Sequence, residues 1–263
     1  MAMRNIALIT GSSAGLGATF ARHLASQDYD LILVARRTDR LNSLATELIA
    51  RYGIQVESLT ADLSDPIHVA RVEQRIMTCD SLVLLVNNAG FGIPGDFSQV
   101  DIDKTLKMID VMVIACVRLA RAALTGMLAR HQGGIINISS IAAFIASQGN
   151  PTYAATKAYL NAFTEALASE LYGSGVIVQA CCPGFTLTEF HDAGEFEGKN
   201  IRNTIAKWLW VTPDQVVAQS LKDLQRGKLY SIYGFKYHLA AALGKLGFAS
   251  FLANNFVRRF RKI

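Results

Sequence analysis

Proline is scarce in this chain of 263 residues, at five, and no Gly/Ser-rich linker interrupts it. Nothing marks an interior domain boundary, and a doubly wound α/β domain of this size can be one unit. Charge is sparse as well: charged residues make up 18% and hydrophobic ones 51%. That balance excludes disorder and provides for a large core. The four cysteines, Cys79, Cys116, Cys181 and Cys182, form no CxxC pair. A zinc pattern and a disulfide framework are thereby excluded, and reduced thiols in a cytoplasmic protein fit. No histidine cluster points to a metal, and no repeat or low-complexity tract is visible. No stretch reaches about 18 uninterrupted apolar residues, the length of a membrane span. A strand beginning near Ile6 leaves no room for a signal peptide. The net charge is +5, but Arg258, Arg259, Arg261 and Lys262 crowd at the C-terminus. There is no broad basic face for nucleic acid.

What is present is alternation. Short apolar runs at Ile6–Thr10, Leu31–Ala35, Val56–Thr60, Leu82–Asn87, Ile135–Ser139 and Val176–Cys182 lack polar alternation, as strands buried on both faces do. Helical patterns lie between them, at about Leu16–Gln27, Asp39–Tyr52, Pro66–Met77, Asp103–Arg130 and Tyr153–Tyr172. Thr212-Pro213-Asp214 opens a later helix with cap, proline and acid in helix-starting order. Gly227 closes it, and Lys228–Tyr233 is a candidate last strand. The expectation is an α/β fold: a single Rossmann-type, doubly wound parallel sheet with helices on both faces.

The first strand runs into Thr10-Gly-Ser-Ser-Ala-Gly-Leu-Gly17 and then a helix. Gly11, Gly15 and Gly17 suit a tight turn, close approach to a pyrophosphate, and helix-on-strand packing. The helix N-terminus supplies unpaired N–H groups and a positive dipole end, and Ser12, Ser13 and Leu16 are counted with the glycines as cofactor-binding. The alternative is an ordinary βα turn. The second strand ends at Ala35, followed by Arg36 and Arg37, where an acid would favour a ribose 2′-hydroxyl. An arginine there suits a 2′-phosphate and so NADP(H); a solvated helix start is the alternative.

Tyr153 and Lys157 are four apart on one helix face. An ammonium beside a phenol lowers its pKa and makes it a usable acid or base. Ser140, at a strand end, can donate a hydrogen bond to a substrate oxygen. With Asp62-Leu63, Asn87-Asn-Ala-Gly90, Ile138-Ser-Ser140, Tyr153-Ala-Ala-Thr-Lys157 and Pro183-Gly-Phe-Thr-Leu-Thr188, the glycine loop resembles the classical short-chain dehydrogenase/reductase family. The motifs come in family order and cover about residues 5 to 190. The resemblance implies that Ser140 polarises a carbonyl, Tyr153 transfers the proton, and Lys157 binds the nicotinamide ribose and tunes Tyr153. It also implies that Asp62 and Leu63 face the adenine and that Asn88, Ala89 and Gly90 face the adenosine ribose. Pro183, Gly184 and Thr188 would face the nicotinamide, and the cofactor itself would carry the hydride.

One position departs from the family. An asparagine that holds a relay water near the lysine is replaced by Met112, whose thioether holds water poorly. Met112 is either a packing residue, with the relay routed elsewhere, or a sign of reduced turnover or of a cofactor-binding sensor without catalysis. A substrate lid falls at about 185–212. Phe185, Phe190, Phe196, Trp208 and Trp210, with Phe91 and Phe144, line a site for an apolar carbonyl or alcohol or else pack the lid; His191 reads as ordinary lid structure.

The domain is expected to run over residues 1–235, with an apolar and basic extension at 236–263. Gly244 and Gly247 weaken that extension as a helix. It either rests on an anionic membrane, giving a peripheral or membrane-interaction protein, or packs on a neighbouring subunit. A homo-oligomer, dimer or tetramer, is expected through the long helices around Met112 and Tyr153.

Overall fold

A computed structural model describes residues 4–145, 148–191 and 204–245. Phe196, Gly247 and the terminal basic cluster lie outside the described residues. Seven strands form one parallel sheet: β1 (Ile6–Thr10), β2 (Asp30–Ala35), β3 (Val56–Thr60), β4 (Leu82–Asn87), β5 (Gly133–Ile138), β6 (Val176–Cys181) and β7 (Tyr230–Ser231). Their order is β3-β2-β1-β4-β5-β6-β7. The chain steps outward from β1 to β3 and then returns to β4 on the other side of β1. That reversal leaves a crevice at the C-terminal ends of β1 and β4, where ligands of such sheets sit.

Among the described residues, eight α-helices cover the two faces: α1 (Gly15–Ala25), α2 (Thr38–Tyr52), α3 (Pro66–Met77), α4 (Ile102–Ile109), α5 (Ala115–Ala129), α6 (Pro151–Glu170), α7 (Pro213–Gln225) and α8 (Phe235–Lys245). Local chemistry explains several starts. Asp65 caps α3 by accepting from Ile67 N–H, with Pro66 in the first turn. Thr212 and Gln215 form a reciprocal capping box ahead of α7, which satisfies two helix-end donors at once. The sheet divides the core in two. One half gathers Phe20, Leu24, Leu41, Leu48, Val217 and Tyr237. The other gathers Val72, Met112, Leu119, Met127 and Leu167.

Two sequence expectations need correction. The single helix expected over Asp103–Arg130 is α4 and α5 joined by a π turn at Asp110–Ile114. A π turn adds one residue without breaking the apolar stripe, so periodicity does not reveal it. The run Ile102–Ala129 has the length and hydropathy of a membrane span, yet 56% of its most apolar window is buried in the fold, where α5 packs on α3 and the sheet. The second correction concerns Gly244, expected to weaken the last helix. Helix α8 includes it and is described to Lys245, and a Cβ at Gly244 would lie 2.3 Å from Phe144 O. Glycine is what lets this helix touch the loop after β5.

Candidate active site

The glycine-loop end of the crevice is made mainly of backbone. Gly11 and Gly15 have φ of 65° and 55°, a region where side chains are strained. A Cβ at Gly11 would come 2.8 Å from Ala89 Cα, and one at Gly17 would come 2.4 Å from Gly11 O. Asn88 and Ala89 donate their backbone N–H groups to Thr10 Oγ1 at 2.9 and 3.0 Å. Asn88 Nδ2 donates to Thr10 O and Gly11 O at 2.8 and 3.2 Å, so its side chain braces the loop. Ser12 is buried with its hydroxyl on Val34 O, and Leu16 packs on the core. Helix α1 begins at Ala14 with no side-chain cap and no acid in its first turn. Its first N–H groups and its positive dipole end therefore suit an anion.

Beside this loop, Arg36 and Arg37 are exposed after β2. Arg37 Nε donates to Ser13 Oγ at 3.2 Å. Asp62 accepts from Ser64 N–H and from Ser64 Oγ at 3.0 and 2.8 Å. Burial pushes its carboxyl upward, but those two bonds and Arg36 outweigh burial and hold it below its ordinary range. Leu63 is buried next to it.

The opposite end of the crevice is made of side chains. Ser140 follows β5, and its Oγ accepts from Ala142 N–H at 3.1 Å, opening the 3-10 turn Ile141–Ala143. Pro151 starts α6 and places Tyr153 in its first turn, with Lys157 one turn later. Lys157 Nζ donates to Ile138 O at 2.6 Å and lies 5.5 Å from the centre of the Tyr153 ring. Ser139 Oγ donates to Lys157 O at 3.0 Å. The end of β5 and the start of α6 are thereby stitched together, with Ser140, Tyr153 and Lys157 converging.

Electrostatics here differ from the sequence expectation. Burial pushes Tyr153 up to about 12, with Ser140 hydrogen bonding pulling the other way. Burial also pushes Lys157 down to about 8. The lowering of Tyr153 expected from Lys157 is not seen in this structure; desolvation of the phenolate outweighs the Ser140 hydrogen bond.

Met112 lies inside the π turn, fully buried. Its Cγ would be 3.3 Å from a Cβ on Gly90. Thr156 Oγ1 approaches its sulfur at 4.0 Å but donates to Tyr153 O at 2.8 Å. The position is a packed thioether. Below it, Asn87 Nδ2 donates to Asn137 Oδ1 at 3.0 Å.

The segment after β6 bridges the two ends. Ile141 N–H donates to Pro183 O at 3.0 Å. Gly184 lies under the Tyr237 ring, where a Cβ would be 2.0 Å from Tyr237 Cζ. Tyr237 Oη accepts from Phe185 N–H at 2.9 Å and donates to Leu209 O at 2.5 Å. Thr188 Cβ would be 3.3 Å from a Cβ on Gly15. Phe190 meets Tyr153 with ring centres 5.7 Å apart, and Phe185 meets Trp210 at the same separation. Trp208 is 68% exposed, and Phe144 packs on Tyr230. Glu189 pairs with Arg37 and Arg40.

Three of these residues were not singled out as site residues from the sequence: Tyr237, Glu189 and Arg40. Each acts on a partner far along the chain, and no local spacing announces it.

The parallel sheet with its switch-point crevice and glycine-lined helix start defines a Rossmann-type dinucleotide protein. A family model described as short chain dehydrogenase matches residues 5–196; the chain belongs to that family of oxidoreductases. It is 31% identical over 187 residues to a very-long-chain 3-oxoacyl-CoA reductase of Anas platyrhynchos. That match covers 70% of this chain and 60% of the relative, so the chain spans about three fifths of the relative's length. Among solved structures, a short-chain dehydrogenase from Sphingobium yanoikuyae in complex with NADPH superposes with a TM-score of 0.81 at 35% identity, covering 92% of both chains. A bulky-bulky ketone specific alcohol dehydrogenase from Comamonas testosteroni has a TM-score of 0.79 at 29% identity, covering 94% of both.

Proposed function

We propose that this protein is an NADP(H)-dependent reductase or alcohol dehydrogenase that interconverts a carbonyl and an alcohol on a bulky apolar substrate. The observation that carries the reading is the convergence of Ser140, Tyr153 and Lys157 at the end of the crevice opposite the glycine loop. The uncapped start of α1 and the cradle around Gly11, Ser12, Ser13, Gly15, Leu16 and Gly17 fit a pyrophosphate. Arg36 fits a 2′-phosphate, with Asp62 and Leu63 at the adenine. Asn88, Ala89 and Gly90 lie toward the adenosine ribose, and Pro183, Gly184 and Thr188 toward the nicotinamide. Bound NADPH supplies the hydride.

The residues do the rest. Ser140 holds the substrate oxygen, and Tyr153 gives it a proton during reduction. Lys157, fixed by Ile138 O, binds the nicotinamide ribose and stabilises the phenolate that Tyr153 leaves behind. In the oxidative direction Tyr153 accepts the proton instead. Phe190 above Tyr153 gives the substrate position an apolar wall, which excludes water and favours a bulky ketone or acyl chain. The names of the Comamonas testosteroni and Anas platyrhynchos proteins point to the same substrate class.

The same reading has the protein cytoplasmic, with its cysteines reduced; the described structure buries all four as free thiols. Exposed Ile102, Leu106, Ile114 and Tyr159 on α4, the π turn and α6 offer an apolar face for a second copy, in a dimer or tetramer. The C-terminal extension offers peripheral contact with a membrane.

The test pairs binding with turnover. NADPH and NADH are titrated by fluorescence against wild type and Arg36→Ala, and bulky ketones are screened for reduction. Tighter NADPH binding, lost in Arg36→Ala, together with turnover supports the proposal. Equal affinity for both cofactors removes the NADP(H) assignment. Tight NADPH binding with no turnover, joined by activity in Met112→Asn, favours the second reading: a cofactor sensor whose buried Met112 has replaced the relay.

A further inference from the structure

Glu189 joins two parts of the crevice that the sequence keeps far apart. It lies in the 3-10 turn Glu189–His191 that follows the Pro183 to Thr188 segment. Its Oε2 accepts from Arg37 Nη1 at 3.0 Å, and its Oε1 accepts from Arg40 Nη1 at 2.5 Å. Both arginines stand at the start of α2, next to the position assigned to a 2′-phosphate. Arg37 also reaches Ser13 of the phosphate loop. Burial pushes the Glu189 carboxyl upward, but the two guanidinium groups outweigh it and hold it below its ordinary range. The carboxylate is thus an anion held by a basic pair beside the phosphate loop.

The arrangement is also breakable. The side chains of Arg37, Arg40 and Glu189 are 46%, 51% and 46% exposed, and exposed ion pairs are weak and open readily. Phosphate is the better partner for such a pair. It brings more negative charge and more acceptor oxygens than a carboxylate, and guanidinium forks match it in geometry. The residues on either side of Glu189 touch working parts: Thr188 rests on Gly15, and Phe190 rests on Tyr153.

We propose that Glu189 is a cofactor-specificity residue: its carboxylate and the 2′-phosphate of NADP(H) compete for Arg37 and Arg40. The inference rests on the NADP(H) reading above and extends the phosphate site from Arg36 to these two arginines. Entry of the phosphate displaces Glu189 and frees its segment from α2. A cofactor without that phosphate leaves the ion pairs in place. Glu189 therefore weakens NADPH binding and leaves NADH binding as it is.

The experiment is a fluorescence titration of NADPH and NADH against wild type, Glu189→Gln, Arg40→Gln and the double variant. Glu189→Gln should bind NADPH about two- to fivefold more tightly, the scale of an exposed ion pair, with NADH affinity unchanged. The gain should shrink when Arg40→Gln is also present, since the two sites share a partner, and should shrink in high salt. An equal gain with both cofactors would show that the segment merely obstructs the crevice. Unchanged or weaker NADPH binding would show that Glu189 does not compete; either result overturns the proposal. The two readings fail separately. A wild type without NADPH preference whose Glu189→Gln variant shifts toward NADPH keeps the competition and loses the NADP(H) assignment. A wild type that prefers NADPH, with the preference unmoved in Glu189→Gln, does the reverse.

Discussion

The glycine-loop end of the crevice is built from neighbours, and the opposite end, which carries Tyr153, from residues far apart in the chain. Seven residues, Gly11 to Gly17, make the first from backbone, braced by Asn88. The second needs Ser140 after β5, Tyr153 and Lys157 on α6, Gly184 after β6, and Tyr237 on α8. Backbone architecture tolerates few changes at the glycines and is nearly indifferent to the rest. Side-chain architecture concentrates the chemistry in a few groups and makes each depend on its burial. The difference teaches where binding and turnover can be separated.

The largest effect should come from Tyr153→Phe. It removes the proposed proton donor and leaves the glycine-loop end untouched, so NADPH binding should persist while turnover falls about 10²–10⁴-fold. Steady-state rates and a cofactor titration check this. Joint loss of both would break the division between the ends. The same tyrosine, pushed up to about 12, stays protonated through neutral pH. Carbonyl reduction should then be flat there, while alcohol oxidation, which needs the phenolate, climbs with pH.

Next in size is the effect of burying Lys157. Its pKa falls from the ordinary 10.5 to about 8. Between those values the unfolded chain holds a proton that the folded chain has released, so stability rises with pH across that window. At about 1.4 kcal/mol per unit, the full change is about 3 kcal/mol. Below about pH 8 the whole cost is present. Chemical denaturation of wild type and Lys157→Met at pH 7.5 and 10.5 should show the difference between them moving by that amount in favour of wild type. A difference independent of pH would mean that the ammonium is better solvated than its burial indicates.

A pair of glycine substitutions sharpens the comparison. Gly17→Ala drives a Cβ into Gly11 O, and Gly184→Ala drives one into the Tyr237 ring. Overpacking of this kind typically costs about 1–3 kcal/mol. The consequences should diverge: Gly17→Ala should lose cofactor affinity, whereas Gly184→Ala should lose turnover and regain stability when Tyr237→Leu removes the ring. Thermal unfolding and NADPH titration of the three variants decide it. The smallest effect is expected from Tyr237→Phe, which deletes the hydrogen bonds to Phe185 N–H and Leu209 O. A loss of about 1 kcal/mol in denaturant unfolding would assign those bonds a holding role. No loss would leave the ring's packing as the part that matters.

Much of this was legible in the sequence, for reasons that particular residues make plain. The strands from Ile6 to Cys181 other than β3 announced themselves because burial on both faces forces continuous apolar runs; β3, at the sheet edge, is only partly buried. The glycine loop and the Tyr153–Lys157 spacing are local, and local constraints survive in one dimension. The π turn around Met112 was hidden, since one extra residue hardly disturbs an apolar stripe. Gly244 read as a helix weakener because its reason for being glycine, the carbonyl of Phe144, lies a hundred residues earlier. The upward push on Tyr153 was also out of reach: it depends on how much of the cleft is dry, which spacing does not encode.

The Tyr237 clamp also sets an order of events. Phe185 and the residue that holds it are separated by 52 positions. A ribosome adding about 5–20 residues per second needs roughly 3–10 s to cover that distance. During that interval the glycine loop, the central strands and α6 have all been made, while the loop over the nicotinamide has no ring to rest against. A nascent chain stalled before α8 would have the glycine loop and α6 but lack the ring that holds Phe185. Completion of that clamp therefore follows the synthesis of α8.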